Sequence, residues 1–170
     1  MRLALARLIR LLFQETAILT EIKSDLFSRR IDLYYERSGT SVGILLRYPT
    51  RRLWTYWDDE LYNLPGNSSR AEGQKYLEDI RSLEQFVYGR RAVGYAIILT
   101  NDHLLWTKPL ESIGPSIHHG STYLGHKPAC ENSLSSPYSF HWQTYSQLDG
   151  ENGWFRYCVT VRSRMVYLYK

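Results

Sequence analysis

Two apolar runs separated by a helical pattern constrain this chain more than any other feature of its sequence. The first, Val42-Gly43-Ile44-Leu45-Leu46-Arg47-Tyr48, is almost continuously apolar and stops at Pro49. A strand with one wetted face alternates apolar and polar residues, whereas a strand apolar throughout is covered on both faces and lies inside a sheet. Proline cannot donate to the ladder and ends it. The second run, Val93 to Thr100, reads the same way. Between them Ser69 and Glu72 have capping-box spacing, and Tyr76, Leu77, Ile80, Leu83, Phe86 and Val87 recur at helical intervals up to Gly89, a suitable C-cap. Strand, helix and strand in this order imply a right-handed crossover and an α/β fold.

Upstream, Thr16 to Lys23 is rich in β-formers, and Arg30 to Glu36 reads as a second strand that turns through Ser38-Gly39-Thr40 into the third. The first three strands are therefore expected to form a meander. Leu5, Leu8, Ile9 and Leu12 share one helical stripe, with Arg2, Arg7 and Arg10 opposite, the pattern of an amphipathic helix packed on a sheet. Beyond Asn101-Asp102, which turns the chain, Gly, Ser, Pro and His dominate from about 110 to 153 and mark a long irregular segment. Trp154 to Arg162 and Met165 to Tyr169 close the chain as strands. The 170 residues fit one domain spanning 1–170, since chains of ~100–200 residues build one core.

Hydrophobic residues make up 44% of the chain, with 14 Tyr and 5 Trp, enough apolar surface to offset the entropy of ordering it. The net charge of +4 permits contact with a polyanion without requiring one. Cys130 and Cys158 have no C-x-x-C spacing, so neither a disulfide framework nor a four-thiolate zinc site is encoded, and a reducing, cytoplasmic setting is expected. Arg7 and Arg10 interrupt the first apolar run before a signal-peptide cleavage site, and the run is too short to span a bilayer, so no membrane association is expected.

Taken in order, Arg30-Ile31-Asp32-Leu33, Ile44-Leu45-Leu46-Arg47-Tyr48-Pro49-Thr50, Tyr76-Leu77-Glu78-Asp79-Ile80 with Glu84, Ile98-Leu99-Thr100-Asn101-Asp102, His141-Trp142 with Tyr145-Ser146, and Phe155-Arg156-Tyr157 form a recognisable series. It resembles one branch of the PD-(D/E)XK restriction-endonuclease-like superfamily, from about Glu21 to Arg162. The resemblance implies a restriction-endonuclease-like mixed central sheet flanked by helices. It also implies phosphodiester hydrolysis, in which carboxylates on adjacent strands hold Mg²⁺ and a nearby lysine helps position the attacking water. Asp32 stands where the metal-binding aspartate would be, and Glu21 is the candidate accessory carboxylate. The third strand departs from the pattern. Where that branch reads Ile-Glu-Leu-Lys-Tyr-Pro-Thr, this chain places Leu45 at the Glu position and Arg47 at the Lys position. Leucine offers no ligand to a hard cation. Arginine cannot act as a base, though its planar fork can grip a phosphate.

Three readings follow. In the first, a catalytically impaired nuclease-fold protein binds nucleic acid, DNA in the first place, as a subunit of a nucleic-acid-processing or defence system and without a cofactor. Arg47, Arg51, Arg52, Arg30 and Lys23 are its phosphate contacts, and Tyr48, Trp54, Tyr56 and Trp57 can stack on unpaired bases. In the second, an active Mg²⁺-dependent endonuclease completes Asp32 with a migrated carboxylate from Glu21, Asp79, Glu84 or Asp102. In the third, the chain is a protein-interaction module or homodimer, because aromatic residues at 54, 56 and 62 suit a core or a protein interface equally well. Against the second, acidic residues on a helix are expected to be solvated or paired with neighbours such as Arg81. His118, His119, His126, His141 and Cys130 carry zinc-type ligand chemistry but match no standard zinc module, so they are expected to be solvated loop residues. Neither a Ser-His-Asp motif nor a phosphate-cradling glycine loop is present, so acyl transfer and nucleotide hydrolysis gain no support.

Overall fold

The computed structural model describes residues 2–12, 17–22, 30–57, 59–108, 116–124, 134–150 and 152–164. In chain order its elements are helix α1 (Arg2–Leu12), strands β1 (Ile18–Ile22), β2 (Ile31–Arg37) and β3 (Thr40–Arg47), the hairpin β4 (Leu53–Trp57) and β5 (Glu60–Leu64), and helix α2 (Glu72–Val87). Then come β6 (Ala92–Thr100), a 3₁₀ turn (His103–Leu105), the short pair β7 (Thr122–Tyr123) and β8 (Tyr138–Ser139), and finally β9 (Gln143–Gln147) and β10 (Trp154–Arg164). The fold is mixed α/β. Six strands form a mixed sheet in the order β1-β2-β3-β6-β10-β9, and β4–β5 and β7–β8 are separate two-stranded sheets. The chain divides into two compact units, Met1–Leu46 with Asp79–Ala96 and Val161–Lys170, and Arg47–Glu78 with Ile97–Thr160.

The first unit contains the expected meander: β1 pairs antiparallel with β2, and β2 with β3. Val42, Gly43, Ile44 and Leu45 are all buried, as a strand apolar on both faces requires. The C-terminal half of α2 buries Ile80, Leu83, Phe86 and Val87. Two glycines let it approach. A Cβ on Gly43 would stand 2.8 Å from Phe86 Cε1, and one on Gly94 would stand 3.0 Å from Leu83 Cδ2. Phe86 also meets Tyr34, the residue opposite Gly43, edge-on at 6.3 Å. Helix α2 stops where expected, with Gly89 in the left-handed region at φ +69°. The α1 stripe is buried less than its periodicity predicts. Ile9 is buried, Leu5 half-buried, and Leu8 and Leu12 exposed.

In the second unit Leu53, Tyr76, Leu77, Ile98, Phe140, Trp142 and Phe155 are buried. The Tyr76 hydroxyl lies 3.0 Å from Thr160 Oγ1, satisfying a polar group at the centre of this core. The stretch between Pro49 and Ser69, to which the sequence assigns no regular element, contains the β4–β5 hairpin, and the long irregular segment contains β7, β8 and β9. The apolar signal of β9 is weak because it is an edge strand with Gln143, Thr144, Tyr145 and Gln147 exposed. The strand expected at Met165 to Tyr169 lies outside the described residues. No helix among the described residues is long and apolar enough to cross a membrane.

Candidate functional site

Asp32 lies near the start of β2, half-buried, and its Oδ2 accepts the Leu46 backbone N–H at 2.8 Å. The reason is local. The β2–β3 ladder pairs Leu33 with Ile44 as its last step, so one residue further out Asp32 stands opposite Leu45, and the aspartate side chain takes up a β3 donor beyond that step. Leu45 is 1% exposed. Leu45, which the resemblance places where a second carboxylate is expected, is thus a core side chain. Across the other edge of β2, Glu21 falls between the pairs Thr20–Leu33 and Ile22–Ile31, which places it opposite Asp32. Its backbone is left-handed, φ +55°, an unusual state for a side-chain-bearing strand residue. Its carboxylate lies 3.8 Å from Arg30, and both side chains are more than half exposed or nearly so, at 50% and 63%. An ion pair that exposed contributes about 0–1 kcal/mol.

Arg47 ends β3 facing a carboxylate that the sequence marks only as a helix cap. Glu72 opens α2, its Oε1 accepts from the Ser69 hydroxyl at 2.9 Å and from Lys75 at 2.6 Å, and its Oε2 lies 3.6 Å from Arg47. The side chains of Arg47 and Glu72 are only 12% and 7% exposed, so this pair is largely sealed from water. After β3 the chain is tied down residue by residue. Thr50 N–H donates to Asn67 Oδ1 at 2.7 Å and its hydroxyl donates to the Pro65 carbonyl at 2.6 Å. Asn101, fully buried, accepts the Arg51 N–H at 2.7 Å and donates to the carbonyls of Arg51 and Asn152 at 3.1 and 2.9 Å. Asp102, also buried, takes the Ser68 hydroxyl, caps the 3₁₀ turn through Leu104 N–H at 3.2 Å, and lies 3.0 Å from Arg51 Nε.

Arg52 is different: it is exposed, and its guanidinium lies over the Trp54 ring at 5.4 Å. On β4, Leu53 and Thr55 are buried while Trp54 and Tyr56 are 55% and 70% exposed. The core role weighed for these two rings is therefore excluded, and Arg52, Trp54 and Tyr56 form an exposed basic and aromatic strip. Trp57's side chain and all of Lys23 lie outside the described residues.

A cleft of about 320 Å³ opens among Asn101, His103, Trp106, Asn152, Trp154 and Arg156. Trp106 packs on Trp142 at 5.9 Å and carries the Arg156 guanidinium over its ring at 5.6 Å. Of these only Asn101 and Arg156 fall in the series singled out from the sequence, and they do so as pattern rather than as a site. The signal was the proximity of Trp106 to the Asn101-Asp102 turn, which gains meaning only once β10 returns alongside.

The remaining candidates disperse. Of the two expectations for the helix acids, solvated or paired, burial excludes the first for Asp79, and Glu84 is half-buried. His119 accepts the Trp142 N–H at 3.2 Å and lies 6.2 Å from the His141 ring, while His118 is 2.6 Å from the Ser116 hydroxyl; His126 and Cys130 lie outside the described residues. Among the described residues no three His, Cys, Asp or Glu side chains are grouped so as to hold a metal ion. Compared with family models, with curated proteins and with solved structures, the chain finds no match in any of the three.

Proposed function

We propose that this is a restriction-endonuclease-like protein that binds nucleic acid, DNA in the first place, and does not cleave it. The observation that carries the reading is the buried Leu45 opposite Asp32. Two carboxylates on neighbouring strands are what a Mg²⁺ site needs; on the β3 side Asp32 faces a hydrocarbon, and on the β1 side it faces Glu21, whose carboxylate lies beside Arg30 at 3.8 Å. The binding half of the reading is supported by the exposed Arg52, Trp54 and Tyr56, a cation beside rings that can stack on bases. Arg47 and Arg51 are each held by a buried acid, which leaves Arg52 and the loosely paired Arg30 as the better phosphate contacts. About two contacts give a shallow salt dependence, a log–log slope on the order of −1.5 to −2.

The test is cleavage and binding of single- and double-stranded DNA and RNA with Mg²⁺ or Mn²⁺. Wild type and Asp32→Asn, which keeps an acceptor for the Leu46 N–H, are compared. Neither protein should cut, and both should bind with that shallow slope. Cleavage by the wild type that disappears in Asp32→Asn would overturn the proposal in favour of a migrated-carboxylate endonuclease. A protein-interaction role is the second reading, favoured by the exposed Leu8, Leu11 and Leu12 of α1. Its signature is a concentration-dependent dimer in sedimentation together with no nucleic-acid binding.

A further inference from the structure

Three departures from ordinary packing meet in the cleft of the second unit. The Nε of Arg156 is buried with no hydrogen-bond partner among the described residues. The residue as a whole is only half-buried and its guanidinium lies over Trp106, so the terminal N–H groups are the ones that can meet an acceptor in the cleft. The β9–β10 register slips between Phe155 and Arg156, and a bulge of this kind re-aims a side chain. Asn152 is held at φ +67° while its carbonyl accepts from Asn101 and its amide donates to the Arg52 carbonyl at 3.3 Å. Left-handed backbone away from glycine persists where surrounding bonds enforce it, and it gathers at ligand sites.

The lining fixes the chemistry of the ligand. Among the described residues it contains Arg156 and His103 but no carboxylate, which favours negative charge. Trp106 is held against Trp142, whereas Trp154 remains 46% exposed and presents a ring on which a planar group can stack. A volume of about 320 Å³ is at the lower end of ligand pockets, about 300–1,000 Å³. That is room for one nucleotide and not for a duplex.

We propose that this cleft receives one unpaired nucleotide of a nucleic-acid strand, its base stacked on Trp154 and its phosphate on Arg156. The inference rests on the nucleic-acid-binding reading and narrows it to strands with an unpaired nucleotide. It is tested by fluorescence anisotropy on the full chain, titrating labelled oligothymidine and a blunt duplex of equal length into the wild type, Trp154→Ala, Trp154→Phe and Arg156→Gln, with a thermal melt of each. The wild type binds the single strand at least about tenfold more tightly than the duplex, and Trp154→Ala weakens single-strand binding by roughly ten- to a hundredfold, the span of base–aromatic stacking. Trp154→Phe recovers most of that loss, and Arg156→Gln lowers both the affinity and the salt slope, the slope by about one. Equal affinity for the two nucleic acids, or unchanged single-strand binding in both Trp154→Ala and Arg156→Gln, overturns the cleft assignment while the nucleic-acid reading stands. No binding of either by the wild type overturns both. A labelled oligoglutamate peptide that binds the wild type, loses binding in Arg156→Gln and displaces oligothymidine also overturns it, in favour of an acidic protein segment.

Discussion

Replacing Leu45 by glutamate supplies the carboxyl that the proposed nuclease-like reading lacks, and its cost follows from where Leu45 lies. The residue is 1% exposed, so the change first removes the burial of a leucine side chain, worth about 2 kcal/mol. It also brings a carboxyl opposite Asp32, where burial and the neighbouring like charge both raise its pKa. A rise of about two to three units costs roughly 3–4 kcal/mol once the pH exceeds the raised value. The sum is about 5–6 kcal/mol at pH ~8. That is comparable with the whole stability of many domains, about 5–15 kcal/mol, and at roughly 2–4 °C per kcal/mol for a chain of this length it lowers Tm by about 10–20 °C. The sign with pH follows from a folded pKa above the unfolded one. The electrostatic part is absent below the unfolded value of about 4.3 and grows as pH rises to the folded value, so the Tm gap to wild type narrows between pH ~8 and pH ~5.

The same variant, with Arg47→Lys added, tests whether the metal site can be rebuilt. Binding to the folded state alone stabilises by about 2.7 kcal/mol at a hundred times Kd, so millimolar MgCl₂ raises the Tm of the restored protein and leaves that of wild type unchanged. Differential scanning fluorimetry across pH, with and without MgCl₂, reads every term. Leu45→Glu melting within about 1 °C of wild type at pH ~8 would refute the burial argument. A full loss of stability that MgCl₂ does not touch would instead refute the pairing with Asp32.

Other perturbations probe other parts. Gly43→Ala forces a Cβ to 2.8 Å from Phe86 Cε1, an overpacking cost of about 1–3 kcal/mol; in chemical denaturation Phe86→Leu relieves it, and additive single and double variants would argue against the contact. Asn101→Ala removes three hydrogen bonds to Arg51 and Asn152, a loss of about 2–4 kcal/mol that urea denaturation measures. Burial raises the Tyr76 hydroxyl well above its ordinary pKa and also raises the Cys158 thiol. Both groups therefore contribute stability that is intact below their unfolded values, about 8.5 for Cys and 10 for Tyr, and lost as pH climbs beyond them. Tyr76→Phe should flatten the alkaline part of the Tm–pH curve, and an unchanged curve would contradict the assignment to Tyr76.

The chain declares some of this structure in its sequence and conceals the rest for identifiable reasons. The β1–β3 meander, α2 and β6 are legible because Val42–Leu45 and Tyr76–Val87 are buried in patterns that match their own periodicity. Gly89 as the end of α2 is legible because a left-handed residue there favours glycine. The β4–β5 hairpin is hidden although Leu53 and Thr55 alternate with Trp54 and Tyr56, because aromatic rings on the outer face blur the apolar-in, polar-out signal. Strand β9 is hidden because an exposed edge needs no apolar residues. At the candidate site, Asp32 and Leu45 as cross-strand neighbours follow from the meander. The Arg47–Glu72 and Arg51–Asp102 pairs do not, since each joins residues 25 or 51 positions apart through loops whose path no local pattern encodes.

On the proposed reading Leu45, Asp32 and Arg47 separate a nuclease from a binding protein, and each also has a structural duty. Leu45 fills the core, so a ligand there must first overcome its own burial. Asp32 Oδ2 holds the Leu46 N–H, a bond that orients the carboxylate and still leaves Oδ1 able to accept a further partner. Arg47 faces a buried Glu72, and breaking a largely buried pair by removing one partner costs about 3–5 kcal/mol, though the remaining Lys75 at 2.6 Å would share the charge. A lysine restored at 47 keeps that charge but loses the planar fork, which is why the Arg47→Lys step belongs with Leu45→Glu rather than alone. The two substitutions are therefore coupled in function but separable in stability. Leu45→Glu carries the large pH-dependent loss, and Arg47→Lys adds a smaller one that does not follow the pH of a buried carboxyl.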